Sequence, residues 1–304
     1  MEHQYQQYWE KDNYRIIDCR TCRFKHVYPV PEFNELQELY QEKYHRQIKP
    51  FPYDKVDSIY IERVKTTALK NTRYKEIFFR VAELKKTADN SFLDIGCGNQ
   101  PLGFFFLDKG WGVNVIEPSL DAAEYLRKFG IDVYNTFIEE LQSLPIQHIS
   151  FVNLQFVLEH ITNPFAVLTE INKVMSTGGV IRLCVPNDFS EGQLAYMDKY
   201  QAEPRWVNLP DHINYFTFKS LSELLAKTGF KEVYRTTNFP LEFLLMGGLN
   251  YYASEEQRKK VGPFVKNFED AFRTTGREEL LKRYYEGLAQ QGFGRSIYMY
   301  AIKE

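Results

Sequence analysis

The sequence predicts a doubly wound α/β domain: a mostly parallel seven-stranded sheet with helices on both faces, an N-terminal appendage and a C-terminal helical insertion. Three observations lead there. From Ser91 onward, short apolar runs alternate with segments of helical periodicity, the pattern of βα units joined by right-handed crossovers. The first run, Phe92-Leu93-Asp94-Ile95, passes directly into Gly96-Cys97-Gly98 and then Pro101. That is a strand, a turn open to close backbone approach, and a helix start with proline where no amide hydrogen is missed. The second run ends in Glu117-Pro118-Ser119, with the carboxylate 21 positions beyond Gly96.

Composition narrows the classes. The chain has 304 residues, with 38 Lys+Arg against 40 Asp+Glu and a net charge of −2, so it lacks the field of a bulk nucleic-acid or anionic-lipid binder. A hydrophobic fraction of 44% excludes intrinsic disorder. No apolar run reaches the roughly 18–20 residues of a membrane span, and MEHQYQQYWEKD has neither a basic leader nor an apolar h-region. The expectation is a cytoplasmic protein with no membrane partner.

Taken in order, residues 1–53 form the appendage, rich in Tyr and Gln and punctuated by Pro29, Pro31, Pro50 and Pro52. They predict a short hairpin around Cys19-Arg20-Thr21-Cys22 and a helix over Glu32–Tyr44. Ile61, Val64, Leu69, Ile77, Val81 and Leu84 give one or two helices over 54–86. Strands follow at 91–95, 112–116, 131–134, 150–155 and 179–185, with helices at 101–109, 119–129, 139–142, 164–176 and 218–228. Two further strands, 231–236 and 295–302, flank 238–291, whose aromatic and apolar residues suit a lid. The division is therefore 1–53, a core over 54–237, the insertion 238–291, and a last core strand in 292–304.

The four cysteines, Cys19, Cys22, Cys97 and Cys184, are too scattered for a disulfide framework. Cys19 and Cys22 read as half of a zinc ribbon, with His26 within reach as a third ligand and His3 and His45 farther off in sequence. A closed structural site needs four ligands and no second C-x-x-C is near, so the expectation is no bound metal and a metal-free turn. A redox pair fits less well, because it should open a helix beside a strand.

A dinucleotide fingerprint needs a third glycine at position 101, and Pro101 stands there, which disfavours a nicotinamide pyrophosphate on this helix. Glu117 instead offers a strand-tip carboxylate to the two hydroxyls of a ribose. These residues, with FVNLQFVLEHITNP, GGVIRLCVPN, PDHINYFTFKSLSELLAKTGF and the closing GRSIYMYAIK, resemble a class I S-adenosylmethionine-dependent methyltransferase with its Rossmann-like fold. The resemblance covers about 54–237 and the last strand. The lead-in DCRTCRF, YPVP, LYQEKY is similar to the zinc-ribbon start of some small-molecule and sugar methyltransferases, without their first cysteine pair.

The resemblance implies S-adenosylmethionine as cofactor and a small-molecule acceptor. It places Gly96, Cys97 and Gly98 along the methionine and ribose, Gln100 toward the cofactor carboxylate or solvent, Glu117 on the ribose hydroxyls and Pro118 against adenine. Phe137 and Ile138 flank adenine, and Leu154 and Gln155 lie beside the methionine part. Gln100 replaces the third glycine of the family motif, and Ser150 replaces the acid that begins the fourth strand. For an acceptor that must lose a proton, His212 is the expected base ahead of His160, which is expected to fix the start of the helix near Pro164. Two other readings stand beside methyl transfer: a non-catalytic cofactor-binding or interaction protein of this fold, and a nicotinamide oxidoreductase.

Overall fold

A computed structural model describes residues 3–11, 14–38 and 50–304. In chain order the elements begin with β1 (Tyr5–Lys11), β2 (Tyr14–Cys19), β3 (Lys25–Tyr28), α1 (Phe33–Glu38), α2 (Ser58–Lys70) and α3 (Thr72–Leu84). Then come β4 (Ser91–Ile95), α4 (Leu102–Asp108), β5 (Gly112–Ile116), α5 (Leu120–Arg127), β6 (Asp132–Tyr134), β7 (Ile149–Gln155), α6 (Pro164–Val174) and β8 (Met175–Pro186). The chain continues with α7 (Glu191–Tyr200), β9 (Asn214–Tyr215), α8 (Phe218–Lys227), β10 (Phe230–Thr236), α9 (Leu241–Met246), α10 (Glu255–Arg273), α11 (Glu278–Gln290) and β11 (Ser296–Lys303). The seven strands and five helices expected from Ser91 to the end of β11 are present within a few residues, although the one expected at 139–142 is a 3-10 turn, Ile138–Ser143. The helix expected over Glu32–Tyr44 is seen as α1, and its remainder, like His45, lies outside the described residues.

Seven strands form one mixed, mostly parallel sheet in the order β10-β11-β8-β7-β4-β5-β6. β4 pairs in parallel with β5 on one side and β7 on the other, and β5 pairs in parallel with β6. The chain thus leaves β4 in one direction along the sheet and returns to its other side. A crevice opens at such a reversal, beyond the carboxyl ends of the strands, and ligands bind there in open α/β sheets.

The chain divides into two compact units. One comprises 30–183, 224–233 and 300–304 and holds β4 to β7. Its strands are covered on both faces, so they read as apolar runs rather than alternating ones: Phe92, Leu93, Phe151, Val152 and Leu154 are all 0% exposed. Phe92 and Phe151 stack at 4.6 Å between ring centres. Ser150 stands where an acid was expected and stitches β7 to β4. Its hydroxyl accepts from the Ser91 N–H at 3.0 Å and donates to the Ser91 carbonyl at 2.9 Å.

The other unit comprises 1–29, 184–223 and 234–299. It contains the sheet β1-β2-β3-β9, antiparallel throughout, with Ile16, Ile17 and Val27 buried and Phe24 against Phe216 at 5.1 Å. The first 29 residues therefore do not stand alone as an appendage. They share a sheet with residues nearly two hundred positions later, and the insertion falls in the same unit. β8, β10 and β11 have residues in both units.

Candidate functional site

The residues expected to bind cofactor converge at the carboxyl ends of β4, β5 and β7. After Ile95 the backbone turns through Gly96 and Gly98, whose φ angles of 62° and 57° lie in the left-handed region that glycine occupies without penalty. At Gly96 a side chain has no room either: an added Cβ would lie 2.7 Å from Cγ2 of Val157. The Gly96 N–H donates to the Ile116 carbonyl at 2.8 Å, which ties the turn to the end of β5.

Glu117 follows β5 and is 3% exposed. One carboxylate oxygen accepts from the Gly98 N–H at 2.8 Å and the other from the Ser119 N–H at 3.0 Å. Burial pushes its carboxyl up to about 7, against the pull of those two donors. Each ionised oxygen can accept twice, so each keeps one acceptor position for a further donor. Asn135, just past β6, donates to the carbonyls of Glu117 and Pro118 at 2.9 and 3.0 Å and holds this loop in place.

Below the turn, Asp94 is fully buried and accepts from Asn153 at 2.7 Å. Arg182 donates to Asn153 at 2.6 Å and to Gln155 at 3.2 Å. Desolvation holds the Asp94 carboxyl up at about 7. The chain Asp94, Asn153, Arg182, Gln155 links the ends of β4, β7 and β8, and so locks the strands from which the glycine turn and Gln155 project.

A cavity of about 600 Å³ opens over this region, within the size range of small-molecule and cofactor sites. Gly96, Cys97, Gly98, Gln100, Glu117, Pro118, Phe137, Ile138 and Gln155 all line it. Leu154 does not: it is fully buried in β7, and the strand reaches the cavity with its next residue. His160 lines it too, from the 3-10 turn Leu158–His160. The cap expected of His160 is made by Asn163, whose side chain accepts from the Ala166 N–H at 3.1 Å to start α6. His212 lies in the other unit, in the loop before β9, its Nε2 3.9 Å from a carboxylate oxygen of Asp211.

Sequence reading missed several lining residues: Phe33, Pro50, Arg73, Glu139, Phe156, Val157 and Ile161. Phe156 and Val157 directly follow β7, and the rule that ligands sit beyond strand ends would have found them. Phe156 has φ 57°, a strained setting for a bulky residue and one concentrated at functional sites. Arg73 is exposed at the first turn of α3, and nothing local in sequence points from it to the glycine turn.

The arrangement suits a nucleoside joined to an amino acid. The two open acceptor positions of Glu117 match vicinal ribose hydroxyls, the backbone of the turn from Gly96 to Gly98 lines the cavity, and Phe137 and Ile138 give an apolar wall for a base. The third glycine of the dinucleotide fingerprint is replaced by Pro101.

A family model described as a methyltransferase domain matches residues 60–234. Thiol S-methyltransferase TMT1B of Rattus norvegicus is 25% identical over 173 residues, covering 53% of this chain and 69% of that protein. Its Mus musculus counterpart is 26% identical over 161 residues, covering 49% and 66%. Among solved structures, magnesium protoporphyrin IX methyltransferase from Synechocystis PCC 6803 aligns with a TM-score of 0.48 at 10% identity, covering 90% of this chain and 100% of that one. Since the family match spans more than half its length, the chain belongs to the methyltransferase-domain family and is an S-adenosylmethionine-dependent methyltransferase.

Proposed function

We propose that the chain methylates a small, largely apolar nucleophile, and that the acceptor is a thiol. The observation that carries this reading is the wall of the cavity beyond the glycine turn. Phe33, Phe156, Val157 and Ile161 make it apolar, and His160 places an imidazole among them. The relatives named as thiol S-methyltransferases support the same acceptor.

When bound, S-adenosylmethionine supplies an electrophilic methyl carbon on a sulfonium. The residues of the chain have two tasks. Glu117 and the turn Gly96-Cys97-Gly98 hold the nucleoside and so fix the line of approach, and most of the acceleration in a displacement at carbon comes from such positioning. His160 takes the acceptor's proton. A thiol ionises near 8.5 and an imidazole near 6.5, so a weak, well-placed base is sufficient. The aromatic faces of Phe33 and Phe156 suit both an apolar acceptor and a neighbouring cation. A net charge of −2 accords with a small molecule rather than bulk nucleic acid.

The test is turnover of the purified chain with S-adenosylmethionine and matched aromatic acceptors bearing a thiol, a phenol or an amine, followed by mass spectrometry. The expected product is the methyl thioether, formed faster than the ether or the methylamine. Faster methylation of phenol or amine overturns the acceptor class. Tight cofactor binding with no acceptor-dependent turnover across the panel overturns catalysis and leaves a binding protein.

A further inference from the structure

We infer that His3, Cys19, Cys22 and His26 form a closed, four-ligand zinc site in the unit that contains the β1-β2-β3-β9 sheet. The inference replaces the metal-free turn expected from sequence, and it is independent of the methyl-transfer site.

Strand register assembles the four residues. β1 and β2 pair so that Tyr5 lies opposite Cys19, which brings His3, just ahead of β1, to the end of β2. β2 and β3 pair so that Ile17 lies opposite His26, at the same end of the sheet. Between them the chain turns tightly: the Arg23 N–H donates to the Cys19 carbonyl at 2.8 Å and Arg23 takes φ 65°. That turn folds Cys22 back until its N–H points at the Cys19 sulfur at 3.3 Å. One ligand atom from each of the four residues lies within 4.8 Å of every other, and neither cysteine is in a disulfide.

Two details separate this cluster from a hydrogen-bonded group of side chains. First, Nδ1 of His3 is 3.4 Å from the Cys19 sulfur and 3.5 Å from the Cys22 sulfur. A single N–H satisfies one sulfur, whereas a nitrogen and two sulfurs around a tetrahedral zinc, at bond lengths of about 2.05 and 2.3 Å, stand about 3.6 Å apart. Second, His26 is 2% exposed and its Nε2 has no hydrogen-bond partner among the described residues. Its Nδ1–H donates to the Val27 carbonyl at 2.8 Å, which leaves Nε2 as a bare lone pair. A buried unmet acceptor is costly, and a histidine oriented by a backbone carbonyl through its other nitrogen is the usual arrangement of a metal ligand.

Two thiolates and two neutral imidazoles are a donor set selective for zinc, and four protein ligands leave no position for substrate. The site is therefore structural. Binding releases the two thiol protons to solvent and ties residue 3 to the β2–β3 hairpin, and its binding free energy adds to folding.

The experiment uses the full chain without an affinity tag. Metal analysis of the purified protein should give one zinc per chain. Exchange with Co²⁺ should give the intense visible bands of a tetrahedral thiolate site. His3→Ala should weaken zinc by at least about 10–100-fold in competition with a chromophoric chelator, and exposed Gln4→Ala should not. Less than a tenth of a zinc per chain together with the pale spectrum of six-coordinate Co²⁺ overturns the inference. So does a His3→Ala protein that holds zinc as the wild type does. The spectrum is read on the wild-type chain, so a variant that fails to fold does not remove the test.

Discussion

Replacing Glu117 by glutamine keeps the size of the side chain and removes one acceptor oxygen and the charge. In the folded protein the two carboxylate oxygens each already accept one backbone N–H, from Gly98 at 2.8 Å and from Ser119 at 3.0 Å. A glutamine can meet one of these donors and turns its own N–H₂ toward the other. The first consequence is a lower stability of the ligand-free protein, by about 1–3 kcal/mol for an unmet buried donor. The second is that one ribose hydroxyl loses its acceptor, which at a similar magnitude is roughly a five- to 150-fold loss in affinity for S-adenosylhomocysteine. There is also a pH signature. Burial raises the Glu117 carboxyl to about 7, and hydroxyl donors bind its ionised form. Wild-type affinity should therefore fall as pH drops below 7, by at most about tenfold per unit. The sign for stability is opposite. With its folded value above the ordinary 4.5, Glu117 contributes stability that is full below about pH 4.5 and lost as pH rises through about 7, so stabilisation by the cofactor grows over that window. Asp94 titrates in the same range, and the Glu117 charge is one of the influences that raise it, so the Asp94→Asn protein is compared with and without Glu117→Gln to separate the two carboxyls. Denaturant unfolding of the ligand-free proteins from pH 4.5 to 8 measures the stability, and titration calorimetry of both from pH 6 to 8 measures the affinity and its pH slope. A glutamine variant that binds within twofold of wild type, or that shows the same pH slope, would refute the reasoning.

Three further outcomes follow from the geometry. Gly96→Ala puts a Cβ 2.7 Å from a branched, stiff Val157 side chain at φ 62°; thermal unfolding should show a loss of about 1–2 kcal/mol from the backbone alone, and calorimetry at least tenfold weaker cofactor binding. His160→Asn should lower the methylation rate by about 10²-fold with cofactor affinity intact, and an unchanged rate removes its role as base. His212→Asn, assayed in parallel, should lower the rate less than His160→Asn does; a drop as large as that of His160→Asn would return the role to His212.

The sheet and the glycine turn were legible in the sequence because both are local. Apolar runs such as Phe92–Ile95 and Phe151–Leu154 announce buried parallel strands, and Gly96 and Gly98 occupy φ values that few other residues tolerate. Contacts between distant segments were not legible. Pairing of His26 with Asn214 puts the first strands in one unit with β9, and no periodicity in either segment encodes that partner. His3 joined Cys19 only through the register of β1 on β2, which depends on side chains along both strands. The start of α6 has a local signal: Asn163 is the better cap, and its side chain takes the Ala166 N–H. That leaves the His160 imidazole facing the cavity.

We propose that the turn after β4 and the carboxylate after β5 receive S-adenosylmethionine with its reactive end toward His160. A crystal structure of the chain with S-adenosylhomocysteine tests it most directly. Both ribose hydroxyls are expected on the Glu117 carboxylate, adenine against Phe137 and Ile138, and the sulfur on the side of the cavity lined by Phe156, His160 and Ile161. A ligand bound elsewhere, or in this cavity with its ribose away from Glu117, would contradict it.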